Sequence, residues 1–478
     1  MDKDLVDFCV DFARKNGADY SEARLVSTVE EGYILKNGTF ESSTFSQTEG
    51  IGFRVLVDGG MSFLAINKFG KETIKNRILE AIKYAKVSAK KLKTPLKFSQ
   101  EKTVKDKWRV GQKIKLEEVG PDEKMADLLE IEKSLSELKN KLPSRVFSLI
   151  ASKEDKYFVN SEGSVINAQI PRVALYASIV AHDNGNFEQL NQGYSPKGGS
   201  GGWELFKGWK LHEVLLDEGK MLLKILREAK SVPKATRDVI LAPQMVGIAM
   251  HESVGHPGEA DRPMGREGSQ AGETYVTNEW IGKRIGSEHV TVVDDPTAEG
   301  SYGFYVYDEE GVKVGKRVLI KDGILNGYLH NRATSSIFGI QSNAAARASA
   351  FDREPLIRMS TTFMLPGDFD FDEIFEGVKN GIYIKGFTEW NIDDKRWNEK
   401  YVGSEAYLIQ DGEMKGLVKR PVLEITTQGF FSSVDAVCKE KYLDFIAGPC
   451  GKGDPMQAVP VWMGGPPIRL RDIHIGSA

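Results

Sequence analysis

The chain has 478 residues, 41% hydrophobic and 28% charged, with 64 Lys+Arg against 68 Asp+Glu for a net charge of −4. That balance excludes global disorder and argues against a protein whose main work is wrapping nucleic acid. The 48 glycines follow no G-X-Y period, so collagen is excluded and many turns are expected.

The opening MDKDLVDFCVDFARK alternates charges and has no apolar core, so it does not read as a secretory leader. Leu5, Phe8, Cys9 and Phe12 recur at helical spacing and predict an amphipathic helix over 3–16, with Cys9 as a core thiol. Residues 21–66 are rich in Val, Thr, Phe and Tyr and predict strands, with turns at Asn37-Gly38 and Gly59-Gly60. A helix follows over 73–89. The lysines after it, Lys90, Lys91 and Lys93, suit a solvated helix terminus better than a nucleic-acid patch. Residues 94–116 read as loop, 122–139 as a helix with Pro121 in its first turn, and 144–182 as a second strand group. Tyr157–Gly163 (YFVNSEG) faintly echoes Tyr33–Gly38 (YILKNG). Residues 194–203 (YSPKGGSGGW) read as a hinge or loop, lacking the Lys-Ser/Thr of a Walker loop.

A helix over 205–230 then leads to a domain boundary near residue 230. Two domains result, 1–230 and 231–478. Beyond the boundary the chain reads as strand and turn, with short helices near 243–253, 334–338 and 372–380. The fold class is α+β: an N-terminal mixed helix and antiparallel-sheet region, then a β-rich C-terminal domain. The longest apolar stretch, 239–250, is broken by Pro243 and Gln244 and is too short to span a bilayer. The three cysteines, Cys9, Cys438 and Cys450, are too few for a disulfide framework. A soluble cytoplasmic chain is expected.

One window carries chemistry: residues 250–262, MHESVGHPGEADR. It holds two of the seven histidines, His251 and His256, with Glu252 beside the first. Two imidazoles and an adjacent carboxylate suit a catalytic zinc site, the imidazoles as ligands and the carboxylate as base. The zinc-protease pattern H-E-x-x-H spaces its histidines at i and i+4. Here they stand at i and i+5, roughly 140° apart on a regular helix. Either the helix carries a π-bulge, where i and i+5 align, or it ends inside the motif. Gly255 and Pro257 permit both. Glu259 and Asp261 read either as outer groups orienting a ligand imidazole or as turn residues, with Glu259 also open as a third ligand. Asp294-Asp295 reads as a solvated turn or an ion site. His182, His212, His289 and His474 read as structural. His330, near Arg332, lies in the most polar setting of the isolated histidines.

His-Glu-x-x-x-His followed by Gly258-Glu259-Ala260-Asp261 resembles the TldD/PmbA family, in particular its TldD branch of metallopeptidases. Asp308-Glu309-Glu310-Gly311 resembles that family's Asp-Asp-Glu-Gly turn. The run PLIRMSTTFMLPGD at 355–368 is similar to its Arg-Met-x-Asn-Thr segment, with Ser360 and Thr361 in place of the usual pair. The tail from Gly448 is similar to its Cys-Gly-Lys-x-Gly-Gln ending but longer here, since Asp454, Pro455 and Met456 separate Gly453 from Gln457. The resemblance spans the chain and is strongest after residue 230.

It implies His251, His256 and Cys450 as ligands of one zinc per chain, with another divalent metal possible in principle. Between Pro449 and Gly451, Cys450 reads as part of a turn-rich loop. Glu252 is then the general base to a metal-activated water attacking the scissile carbonyl. The resemblance further implies extended, small or unfolded peptide substrates and either a homodimer or a heterodimer with a metal-free paralogue. The alternative is a non-catalytic partner subunit or a gyrase-modulator-type regulator with a relic metal site. No membrane association or direct nucleic-acid contact is expected.

Overall fold

A computed structural model describes residues 3–190, 197–269 and 271–477. Its N-terminal part is built on an eight-stranded sheet. The strand order is Gly60–Ile66, Thr39–Val57, Tyr20–Lys36, Ser144–Asn160, Val165–Asp183, Lys105–Arg109, and Asn186–Leu190 and Lys197–Ser200 also pair with Val165–Asp183. Four of these strands run 17 to 19 residues. Such length lets one sheet face serve two cores. Leu25, Tyr157 and Val159 pack under the helices Lys3–Lys15 and Lys71–Ala89. Residues of the same parity farther along, Tyr33, Phe147 and Leu149, pack with Leu128 and Leu215 from Pro121–Ser134 and Leu211–Glu228.

The first hairpin turns at Asn37-Gly38, both with positive φ, as a two-residue turn between twisted strands requires. The second turns at Asp58-Gly59, one residue before the expected Gly59-Gly60. Four further expectations are corrected. The expected loop 94–116 contains the strand Lys105–Arg109, which pairs parallel to residues 165–169. Residues 194–196 of the expected hinge lie outside the described residues, and Lys197–Ser200 is a strand antiparallel to 172–175. The helix expected over 205–230 is two, Glu204–Gly208 and Leu211–Glu228, separated by Lys210 at φ 48°. The helix expected at 372–380 is only a 3-10 turn, Glu373–Phe375, before the strand Asn380–Ile384. Burial of Ile374, Phe375 and Val378 in one small core gave that stretch its helical spacing.

The C-terminal part holds two larger sheets. One has six strands in the order Ile324–Leu325, Arg317–Lys321, Val292–Asp294, Thr361–Met364, Gln457–Gly465, Asp444–Lys452. The other has nine and contains Ala235–Leu241 beside Ile468–Ser477. The helix Pro243–Met250 connects them, leaving the strand Ala235–Leu241 and packing on Gln457–Gly465. Gly247 makes that packing possible: a Cβ there would lie 2.9 Å from the Met463 carbonyl and the Gly464 nitrogen. The helix bearing the histidine motif is thereby seated against the hairpin that bears Cys450. No helix among the described residues is long and apolar enough to cross a membrane.

Candidate metal centre

The helix Pro243–Met250 does not end at the motif; it widens. Residues His251–Gly255 form one π-turn, closed by the His256 amide donating to the His251 carbonyl at 3.1 Å. Of the two routes the spacing left open, the chain takes the π-bulge. The wider turn brings the imidazoles together, with ring centroids 4.9 Å apart at 82°. Gly255 is required by close approach, because a Cβ there would sit 2.5 Å from Met359 Sδ.

Cys450 meets this pair from the far end of the sequence. It lies in the strand Asp444–Lys452, paired with Val459, rather than in the expected loop. Asp454, Pro455 and Met456 fall in the turn of that hairpin, and the strand register runs unbroken through Cys450. Cys450 Sγ is 3.3 Å from His256 Nε2, and the donor atoms of His251, His256 and Cys450 lie within 4.8 Å of one another. Ligand atoms of a tetrahedral zinc with these donors lie roughly 3.5 Å apart. His251 Nδ1 is buried without a hydrogen-bond partner, an orphan that a metal would satisfy. The donor set thus fits a soft divalent ion.

Electrostatics single out the same cysteine. Burial pushes the Cys9 and Cys438 thiols up to about 12. Burial also raises Cys450, but His256 and Arg358 outweigh it and hold the thiol below its ordinary value. Burial lowers His251, favouring the neutral imidazole a metal requires.

Glu252 is buried and bonded to Arg396 Nη1, from the tip between the strands Phe387–Ile392 and Asn398–Gly403. Burial raises its carboxyl. Arg396, His256 and His251 overcome that and keep it below the usual carboxylate range. Glu259 is fully buried, its Oε2 3.2 Å from His256 Nδ1, 2.8 Å from Arg262 Nε and 3.3 Å from Lys452 Nζ. Arg358 Nε lies 3.5 Å from its other oxygen, and Arg358 also donates to the Cys450 carbonyl. Asp261 accepts from Lys452 at 2.7 and 2.8 Å and does not reach an imidazole.

The other candidates separate from this cluster. Asp294 is no solvated turn: it is fully buried, paired with Arg317, and accepts from the Ser360 amide and Thr362 Oγ1 at 2.8 Å each. Asp295 caps its own turn, accepting from the Thr297 amide and hydroxyl. Ser360 and Thr361 are buried and hydrogen-bonded to Gly303 and Ser301. His182 packs at a tilt on Phe187, His212 is half-buried, and His289 and His474 are exposed. Arg332 is a structural clamp on the Ser99 carbonyl.

His330 is buried between Phe338 and Thr334, and burial lowers it to about 4 from an ordinary 6.5. A depressed imidazole contributes stability above its unfolded value and loses it as pH falls through its folded one. The melting temperature is therefore expected to fall from pH 6.5 toward pH 4. Melts across that window should show a shallower slope in His330→Leu.

Sequence reasoning missed Arg396, Arg358, Arg262 and Lys452. Arg262, Arg358 and Lys452 stand in segments already singled out, but that all three share Glu259 appears only in the fold. Arg396 had no signal, since 144 residues separate it from Glu252.

Models of the PmbA/TldA metallopeptidase family match residues 21–85 (domain 1), 114–231 (central domain) and 234–477 (C-terminal domain). The chain is 34% identical over 451 residues to metalloprotease MJ0996 of Methanocaldococcus jannaschii, covering 94% of this chain and 96% of that one. It is 27% identical to a zinc metalloprotease TldD homolog of Saccharolobus solfataricus, covering 97% and 98%. In fold it is similar to TldE of Thermococcus kodakarensis, with a TM-score of 0.75 at 18% identity over 99% and 100% of the two chains. A Thermotoga maritima protein described as a candidate modulator of a DNA gyrase superposes with a TM-score of 0.76 at 15% identity, the full length of both chains covered. With family models matching all three regions in order, this chain belongs to the PmbA/TldD family of metallopeptidases.

Proposed function

We propose that this chain is a zinc-dependent peptidase of the TldD type, with His251, His256 and Cys450 as ligands and Glu252 as general base. The observation that carries this reading is the convergence of three soft donor atoms within 4.8 Å beside a buried carboxylate kept ionised by Arg396. A zinc ion there supplies a Lewis acid that polarises a carbonyl and acidifies water. Glu252 accepts the water's proton on the oxygen that Arg396 leaves free and delivers it to the departing amine. Glu259 orients His256 through Nδ1, which directs Nε2 toward the ligand position. Asp261 acts one step farther out, by neutralising Lys452.

Substrates are extended peptides, small or unfolded, because the site is buried and a folded domain does not reach it. Residues 1–230 enclose the substrate and 231–478 carry the catalytic groups. A denatured protein should be cut and its native form spared, which gel analysis of one substrate in both states checks. Equal cutting of both would sink this reading. The active assembly is a homodimer or a pair with a TldE-like chain, a reading supported by the likeness to TldE.

A further inference from the structure

A partly open cavity of about 80 Å³ lies between the N-terminal sheet and the hairpin carrying Cys450. Val459 in its wall is the register partner of Cys450, a Cα separation of about 5 Å in an antiparallel pair. The cavity has room for a carboxylate group and little more.

Its charges do not balance. Glu309 pairs with Arg24 at 2.7 Å and with Lys156. Glu154 lies 3.1 Å from Lys156 and 3.6 Å from Arg172. Two carboxylates are thus shared among three cations. A third, Asp308, is occupied by the backbone amides of Glu310, Val312 and Ala346. Arg347 adds a further cation. It is 7% exposed, pairs with no carboxylate among the described residues, and donates only to the carbonyls of Met359 and Pro460 at 2.7 and 2.8 Å. A buried guanidinium without a counter-ion is unfavourable, and burial lowers Arg347 to about 10. Trp108, also in the wall, has a buried indole N–H without an acceptor. Four cations thus stand against three carboxylates in the wall, and an unmet donor faces the same small space, as does one carboxylate oxygen, Glu154 Oε1, without a hydrogen bond.

We infer that this cavity is an anion subsite that takes a carboxylate of a bound peptide, held by Arg347 and the Trp108 indole. It lies beside the metal residues and so fixes how far the peptide extends past them. The inference rests on the peptidase reading only for the ligand being a peptide. Two sources share the chemistry, the C-terminal carboxylate and an Asp or Glu side chain.

The test is calorimetric binding to the full-length Glu252→Gln chain, so that no turnover intervenes. Three probes are used: acetylated pentaalanine as the free acid, its C-terminal amide, and that amide with one alanine replaced by glutamate. We expect the free acid, or the glutamate amide if the side chain is the source, to bind about tenfold tighter than the plain amide. That preference should vanish in Arg347→Met and shrink in Trp108→Phe, which keeps the ring and removes only part of the donor face. If Arg347→Met does not fold, Trp108→Phe decides alone. Equal binding of all three probes, binding of none, or a preference unchanged by the variants overturns the subsite. Wild-type chain that binds the acid selectively yet cleaves nothing would instead overturn the peptidase reading and leave the subsite standing.

Discussion

Glu252→Gln is expected to keep its metal and lose turnover by about 10²- to 10⁴-fold, the usual share of a general base. His256→Ala and Cys450→Ser are expected to lose the metal itself. The distinction follows from geometry. Cys450 Sγ and His256 Nε2 already face each other at 3.3 Å, and His251 supplies the third donor. The Glu252 side chain is turned to Arg396 and is not among the clustered donors. Elemental analysis and a peptide assay on the same preparations separate the roles. Metal at about one ion per chain in wild type and Glu252→Gln, with little in the other two, is the expected pattern. Metal retained in Cys450→Ser would show that the thiolate is not a ligand.

Glu259→Ala should be the most damaging single change for stability. Its carboxylate is fully buried and is shared by Arg262, Lys452 and Arg358, with His256 on the same oxygen as two of them. Burial raises a carboxyl, but Lys452, His256 and Arg262 hold this one well below its ordinary range. Removing it leaves two guanidinium groups and an ammonium inside the protein with Asp261 as the nearest remaining anion. Breaking a buried pair from one side typically destabilises by about 3–5 kcal/mol. Denaturant titration of Glu259→Ala against wild type measures this. Glu259→Gln keeps the shape and one acceptor, so its loss should be smaller. A change under about 1 kcal/mol in Glu259→Ala would mean the three cations find other partners.

The sequence made legible what depends on local periodicity and on tightly spaced chemistry. The long N-terminal strands and their helices follow from alternating and helical patterns, and Asn37-Gly38 marks its turn through residues that accept positive φ. The histidine spacing constrained the backbone to two options, of which the fold uses one. What stayed hidden depends on contacts remote in sequence. Cys450 read as a loop residue because Pro449 and Gly451 flank it, yet pairing with residues 457–465 makes the stretch a strand. Asp294 read as solvated because a proline follows an acidic pair. Its partner Arg317 arrives from a neighbouring strand and buries it. Arg396 reaches Glu252 from another sheet, and no local pattern encodes that meeting.

The π-turn has a consequence for helical phase. It takes up one extra residue within the turn, so everything downstream keeps the phase of a regular helix one residue shorter. Deleting Val254 would restore an H-E-x-x-H spelling and return both imidazoles to one face of an ordinary helix. Glu259, three residues beyond His256 and bonded to it, would keep its place against Arg262, Lys452 and Arg358. In this chain the histidine pair and the charge cluster behind it therefore share one phase: because the turn absorbs the extra residue, the chain past His256 meets its buried cations as an unbroken helix would deliver it.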